Sequence, residues 1–419
     1  MQQSGTECEF NNSDSWVILS PIEQSIKRKI EAVGTPLKDW DIQINYGIKT
    51  GYNDAFIIDT AKRDEILANC QSEDERKRTA ELIRPILRGR DIKRYGYNWA
   101  NLWLINTHNG IRGKLERIHI EDYPAVKAHL DQYWDRISKR ADKGDTPYNL
   151  RNCAYLEDFN KPKIVWGEIS DRSKFAFEAY GSFIPEATTF LMVGSDLSYL
   201  LCVLNSPLSE WFFSKVGTTT GVGTVRWKKY TIQELLIPFV NVKLRQLFQQ
   251  IVEKYVIGNI TSEQLSKYSN KILYEVVGLI DEEIEFVEDF SKPKMLWKRV
   301  GSILRFCYND NETLGLDSTC FATGENIEFI CCVLNSPMGH YLLKDAPKTG
   351  TGDLLVSVQA IEPIQIPQVG LETNSEFKKL LESLIKTDSP SNEKEISRKV
   401  LKLYDLSLDE QSYIETNFT

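Results

Sequence analysis

The stretch Lys161-Pro162-Lys163-Ile164-Val165-Trp166 returns further along the chain as Lys292-Pro293-Lys294-Met295-Leu296-Trp297, and that recurrence organises everything around it. Cys202-Val203-Leu204-Asn205-Ser206-Pro207 likewise returns as Cys332-Val333-Leu334-Asn335-Ser336-Pro337. A Thr/Gly-rich loop follows each copy, Thr218-Thr219-Thr220-Gly221-Val222-Gly223 and then Lys348-Thr349-Gly350-Thr351-Gly352. Each block then reaches an Ile-Pro step, Ile237-Pro238 and Ile366-Pro367. The offset is 131 residues at the first pair and 129 at the last, so few insertions separate the copies. Four matches in one order read as an internal repeat.

After each Ile-Pro step the apolar period changes to that of a helix. Leu244, Leu247, Phe248, Ile251, Val252 and Tyr255 fall on one face. Gly258-Asn259 stops that helix, and Thr261 with Gln264 predicts a capping box that opens a second. In the later copy Thr373 with Glu376 predicts the matching box, ahead of Phe377, Leu380, Leu381, Leu384 and Ile385. Ser389-Pro390-Ser391 precedes a last helix around Ile396, Val400 and Tyr404. The repeat unit is therefore a β-rich block closed by a helical hairpin. Residues 163–169 and 187–193 read as strands. Residues 199–204 and 329–334 are apolar throughout and suit a short helix or a buried strand equally.

The first copy carries an extension, about residues 36–160, that the second lacks. Its start, residues 40–59, reads as strand-turn-strand, and a charged helix over 62–82 follows. Residues 1–35 contain one amphipathic helix with Ile22, Ile26 and Ile30 on a face and otherwise form a lead-in. The expected organisation is α+β: a lead-in over 1–35, a first unit over 36–290 and a shorter unit over 291–419.

Composition bounds the function. The chain has 419 residues, 42% apolar and 26% charged, the balance of an ordinary globular protein. No apolar run has the ~18–20 residues of a membrane helix, and no signal peptide opens the chain. A net charge of −8 excludes a uniformly basic nucleic-acid coat but permits a local basic groove. The eight cysteines show no Cys-x-x-Cys pattern and the four histidines no metal-ligand spacing, which suits the cytoplasm and no metal site.

The basic groove has a candidate. Between Pro85 and Arg151 there are 13 Lys or Arg against 8 Asp or Glu. The centre is Arg88-Gly89-Arg90-Asp91-Ile92-Lys93-Arg94-Tyr95, and a second group is Arg136, Lys139, Arg140 and Lys143. Arginine forks match guanine edges and phosphates, and lysines pair with phosphates. A charge run of this kind is also the ordinary composition of a solvated helix face. The turn Gly47-Ile48-Lys49-Thr50-Gly51-Tyr52-Asn53 lacks phosphate-loop spacing. Its amides, with Lys49 and Thr50, suit a sugar-phosphate backbone, and equally an ordinary turn. Arg226, Lys228 and Lys229 follow the first Thr/Gly-rich loop, whereas residues 353–357 at the matching place carry no basic side chain.

Catalytic patterns are missing. There is no Asn/Asp-Pro-Pro-Tyr/Phe for methyl transfer to an exocyclic amine, no glycine-rich cofactor loop after a strand and no nucleophile elbow. Glu376-Phe377-Lys378 has the triplet of a metal-dependent nuclease but falls in a helix.

With these residues in view, the sequence resembles the TaqI-like C-terminal specificity region of adenine-specific DNA methyltransferases and Type IIG restriction-modification enzymes. The resemblance rests on residues 46–56, Arg84-Pro85-Ile86-Leu87-Arg88-Gly89-Arg90-Asp91-Ile92-Lys93-Arg94-Tyr95, Lys161-Pro162-Lys163-Ile164-Val165-Trp166 and Leu204-Asn205-Ser206, and spans roughly 36–419. The duplicated plan is also similar to Type I specificity subunits, in which helical hairpins hold two recognition domains apart. The resemblance implies a partner in double-stranded DNA and a methyltransferase or endonuclease module supplied in cis or in trans, where the target adenine is flipped. It implies no cofactor in this chain, with S-adenosylmethionine, and Mg2+ for cleavage, held by that separate module. The expected function is sequence-specific recognition without bond-making. The alternatives are a nuclease with an unrecognised metal site and a protein-interaction scaffold. From charge and loop position, the expected DNA contacts are Lys49, Thr50, Tyr52, Asn53, Arg88, Arg90, Lys93, Arg94, Arg140, Lys143, Thr219, Arg226 and Lys228.

Overall fold

The computed structural model describes residues 19–170, 172–216, 218–219, 225–289, 292–301, 305–309, 319–350, 352–387 and 390–418. The fold is α+β, in two compact units, 1–285 and 286–419. Residues 220–223 of the first Thr/Gly-rich loop lie outside the described residues.

The first unit opens with helix α1, Pro21–Val33, started by a complete capping box between Ser20 and Glu23. Ile26 and Ile30 are buried, and the strand after α1 pairs Thr35 with Ile237, so this segment is part of the first unit rather than a separate lead-in. The strands that matter for the site are, in chain order, Ile42–Tyr46 (β1), Ile57–Asp59 (β2), Ile83–Leu87 (β3), Leu102–Ile105 (β4), Lys163–Gly167 (β5), Phe175–Glu178 (β6), Ile184–Pro185 (β7) and Thr189–Gly194 (β8). One antiparallel sheet runs β1-β8-β5-β6, and a second runs β2-β4-β3-β7 with a parallel β3–β7 pair. Residues 40–59 are therefore not a hairpin, because β1 and β2 belong to different sheets. The charged helix expected over 62–82 is two helices, Thr60–Ala68 (α2) and Glu73–Leu82 (α3). The Ser72 side chain caps the second by accepting from the Glu75 amide.

The apolar run after β8 is a helix, Leu197–Leu204 (α4), followed at once by Pro207–Val216 (α5). The repeated Asn-Ser-Pro explains the break. Asn205 closes α4 and locks onto strand β6: its Oδ1 accepts from the Phe175 amide (3.1 Å) and its Nδ2 donates to the Phe175 carbonyl (2.8 Å). The Ser206 hydroxyl accepts from the Ser209 amide, and Pro207 starts α5 without an amide to satisfy. Helix α4 packs between the β5–β6 face and the hairpin Val242–Val256 (α6) and Ser262–Val277 (α7). The Thr261–Gln264 capping box forms as expected, and Gly278 ends α7 with φ of 73°. Phe248 and Val252 supply the buried stripe of α6, whereas Leu247, expected on that stripe, is exposed.

The second unit uses the same local arrangements. Its sheet orders Phe306–Asn309 (β10), Lys294–Lys298 (β9) and Thr319–Thr323 (β11), with β9 central and both neighbours antiparallel. Ile327–Leu334 (α8) corresponds to α4, and Asn335 grips the Phe306 amide and carbonyl (2.9 and 2.6 Å) as Asn205 grips Phe175. Trp166 donates its indole N–H to the Trp227 carbonyl (2.9 Å), and Trp297 does the same to Val356 (2.8 Å). The closing helices are Leu371–Thr387 (α9), Pro390–Leu403 (α10) and Leu408–Asn417 (α11). Helix α9 begins at Leu371, so Thr373 lies inside it, and Glu376 pairs with Lys399 of α10 (2.7 Å) instead of capping.

Candidate DNA interface

The turn at 47–53 is shaped by contact with another loop. The Gly47 amide donates to the Thr189 carbonyl and the Ile48 amide to the Pro185 carbonyl (2.9 and 2.7 Å). A side chain at position 47 would begin 2.1 Å from the Glu186 carbonyl oxygen, so only glycine fits. The chain reverses at Gly51, φ 72°, and enters the short helix Asn53–Phe56 on its way to β2. Thr50 is buried with its hydroxyl on the Asn53 carboxamide, and Tyr52 packs edge-on to Tyr133. Lys49 and Asn53 face solvent.

Arg140 locks this turn to the loop 140–151. It is buried, with its guanidinium stacked 4.3 Å from the Phe56 ring centre. Nη1 donates to the carbonyls of Thr50 and Asp142, and Nη2 to those of Pro147 and Asn149. Burial brings its pKa down to about 10, with Asp142 opposing, so it stays charged at neutral pH. The cation expected on DNA is thus consumed inside the protein. Its neighbours are not. Lys49 Nζ lies 3.0 Å from one oxygen of Asp142 and Arg151 Nη1 lies 3.3 Å from the other, with both basic side chains more than half exposed. The Lys49 hydrogen bond holds the Asp142 carboxyl below its usual range. Lys143 is exposed, its ammonium on the Ser138 carbonyl (2.7 Å).

The loop 185–188 continues this surface toward the second basic group. The Glu186 amide donates to the Leu87 carbonyl (2.8 Å), and the Glu168 amide donates to the Thr188 carbonyl (3.0 Å). Gly89 lies beside the Gly167 backbone at ordinary packing distance: a Cβ there would stand 3.7 Å from the Gly167 Cα. The Trp227 amide then donates to the Glu168 carbonyl (2.8 Å), and Arg226 pairs with Ile169 in a small three-stranded sheet. One continuous strip of backbone therefore carries Lys49, Arg88, Arg90, Arg226 and Lys228.

Within that strip the side chains differ in availability. Arg88 is committed to a bidentate pair with the buried Asp91 (2.8 and 3.0 Å), which also accepts the Arg88 amide. Arg90 is exposed and has no carboxylate partner among the described residues. Lys228 reaches over the exposed Tyr230 ring at 5.7 Å. Thr219 pairs through its backbone with Val225. Arg94 turns away and donates to the Asn205 carbonyl at the α4–α5 junction. Lys93 is exposed, but its turn carries Gly96 against Tyr255 of α6. Arg151, outside the expected set, joins Lys49 through their shared partner Asp142, a contact between loops that neither charge pattern nor period along the chain marks. Tyr46, 54% exposed at the end of β1 with its ring tilted against that of Phe190 at 4.8 Å, is a second addition to the strip; it stands first in the 46–56 motif but was not among the expected contacts.

Among the described residues no group of three or more His, Cys, Asp or Glu could hold a metal ion, and no helix is long and apolar enough to cross a membrane. The candidate surface presents cations and aromatic rings, groups suited to phosphates and sugars, whereas the Gly47 and Ile48 amides of the turn are bonded inside the protein.

Residues 84–238 match the TaqI-like C-terminal specificity domain. That domain includes Arg88 through Lys228 and leaves Lys49 outside it. Over 278 residues, 65% of this chain, the sequence is 22% identical to the Type II methyltransferase M.PaeR7I of Pseudomonas aeruginosa. The match spans 44% of that relative, so the chain covers less than half its length. Among solved structures, the Type IIL restriction-modification enzyme MmeI in complex with DNA aligns with 62% of this chain and 34% of its own, at 15% identity and a TM-score of 0.41. The type IIG restriction endonuclease BpuSI aligns with 61% of this chain and 32% of its own, at 14% identity and a TM-score of 0.39.

Proposed function

We propose that this chain recognises a specific site in double-stranded DNA and supplies that choice to an N6-adenine methyltransferase or restriction module, in the cytoplasm, without making or breaking bonds itself. The observation that carries this reading is the overlap of the TaqI-like specificity domain, 84–238, with the strip that presents Arg90, Arg226 and Lys228. Lys49 and Arg151, brought to the same surface from outside or within that span, extend it along the backbone. S-adenosylmethionine, and Mg2+ for cleavage, belong in this reading to the catalytic module. The second unit, which shares the Asn and Trp locks of the first but not its basic extension, is a second and shorter copy of the recognition plan.

Fluorescence anisotropy with a labelled pool of random duplexes tests this. Binding should fall steeply with salt, with a slope of about 0.9 for each phosphate neutralised. Arg90→Ala should remove one such contact, lowering the slope by about 0.9 with no change in thermal stability. Arg88→Ala should instead destabilise the fold, because it strands the Asp91 carboxylate. Absence of binding at low salt by the folded chain, or an Arg90→Ala curve identical to the parent's, would remove this surface from DNA.

A further inference from the structure

Arg140 is the most heavily invested cation of the first unit, and none of its investment faces outward. Four backbone carbonyls converge on its two terminal nitrogens, one from the turn 47–53 and three from the loop 140–151. These segments are 90 residues apart in sequence at the Arg140–Thr50 contact. Carbonyls of two loops do not approach one another without a shared donor, since their oxygens repel. The guanidinium therefore fixes the spacing between the loops. The outward consequence is a pair of exposed cations, Lys49 and Arg151, held to opposite oxygens of one carboxylate at 3.0 and 3.3 Å. Asp142 sets where the two cations point, and the three side chains together still carry one net positive charge.

We propose that Arg140 is a positioning residue for DNA binding, which holds Lys49 and Arg151 together as a two-cation site for one backbone phosphate. The proposal rests on the DNA reading above and adds to it a site, its ligand group and the residue that assembles it. An ion-paired cation costs little to redirect here, because both side chains are more than half exposed and the carboxylate pairs with them in high dielectric. Preorganisation matters more: two long side chains on independent loops would lose rotamer and loop freedom on binding.

The experiment uses the full chain and a fluorescein-labelled random duplex, with affinity measured from roughly 50 to 200 mM salt. The double variant Lys49→Met/Arg151→Met should weaken binding and lower the salt slope by about 0.9, the value for one phosphate. Arg140→Lys, which keeps the charge but loses the fork, should give the same loss of slope. Placed on the double variant it should cost no further affinity. Gly51→Ala provides the same test without touching any charge: its Cβ would stand 3.0 Å from the Asp142 Cβ at a backbone φ of 72°. It should lower the slope in the parent and not in the double variant, and it carries the test if Arg140→Lys fails to fold by thermal melt. An unchanged slope in folded Arg140→Lys, or in Gly51→Ala, overturns the proposal. So does a further loss of affinity when either is added to the double variant. Failure of the parent itself to bind at low salt defeats the DNA reading instead, which separates the two.

Discussion

The Lys163–Glu178 pair gives a sharp test of how the first repeat motif works. Both side chains are fully buried, on adjacent strands β5 and β6, with Lys163 Nζ 2.5 Å from Glu178 Oε2. Nζ also donates to the carbonyls of Phe159 and Lys161 (2.9 and 3.1 Å), and Glu178 Oε1 accepts the Tyr180 amide (3.1 Å). Burial lowers the lysine pKa and the carboxylate opposes it. Removing one member leaves the other as an unpaired charge in low dielectric, at a cost of about 3–5 kcal/mol. Replacing both by apolar residues of similar volume removes the penalty along with the attraction, and such swaps are often neutral. Lys163→Met should therefore lower the melting temperature of the first unit by about 6–10 °C, taking roughly 2 °C per kcal/mol for a large domain. Lys163→Met/Glu178→Met should recover most of that loss. The transition is followed by tryptophan fluorescence, since Trp166, Trp211 and Trp227 are all buried in this unit. A single variant that melts with the parent, or a double variant no better than the single, would refute the reasoning.

Two further outcomes follow from burial and titration. Phe248→Ala, at the buried stripe of α6, should cost about 3–5 kcal/mol in urea unfolding, whereas Leu247→Asp on the exposed side should cost about 1 kcal/mol or less. Equal effects at the two positions would mean that the stripe is misassigned. Glu283 accepts from Ser25 (2.7 Å), Lys29 (2.6 Å) and the Ile280 amide (2.9 Å); burial raises its pKa, but these donors outweigh burial and the net shift is downward. A depressed carboxyl stabilises above its unfolded value, about 4.3, and loses that contribution as pH falls through the folded value. The melting gap between parent and Glu283→Gln should then be steady at neutral pH and close in acid, and a gap that widens in acid contradicts the assignment.

Much of the architecture was written in local chemistry. A capping box, an Asn-Ser-Pro break and a stripe at helical period depend on residues within a few positions, so Thr261, Asn205 and Phe248 announce their roles in the sequence. The ambiguous run 199–204 did not, because an apolar segment buried on all sides has no period, and only its packing between sheet and hairpin makes it a helix. Residues 40–59 misled for a related reason. Two strand-like segments flanking a glycine turn look like a hairpin, but their hydrogen-bond partners lie beyond residue 100, in β8 and β4.

By itself the sequence determined the α+β class, the helical hairpins and the resemblance to a specificity domain, because each rests on short-range order or on an ordered set of motifs. It also located the basic segment. Which of those cations face solvent was a matter for tertiary structure alone. Arg88, Arg94 and Arg140 read as equals of Arg90 in one dimension, yet Asp91, the Asn205 carbonyl and four converging carbonyls claim them. A guanidinium goes where unmatched acceptors gather, and where acceptors gather is set by how distant loops are brought together.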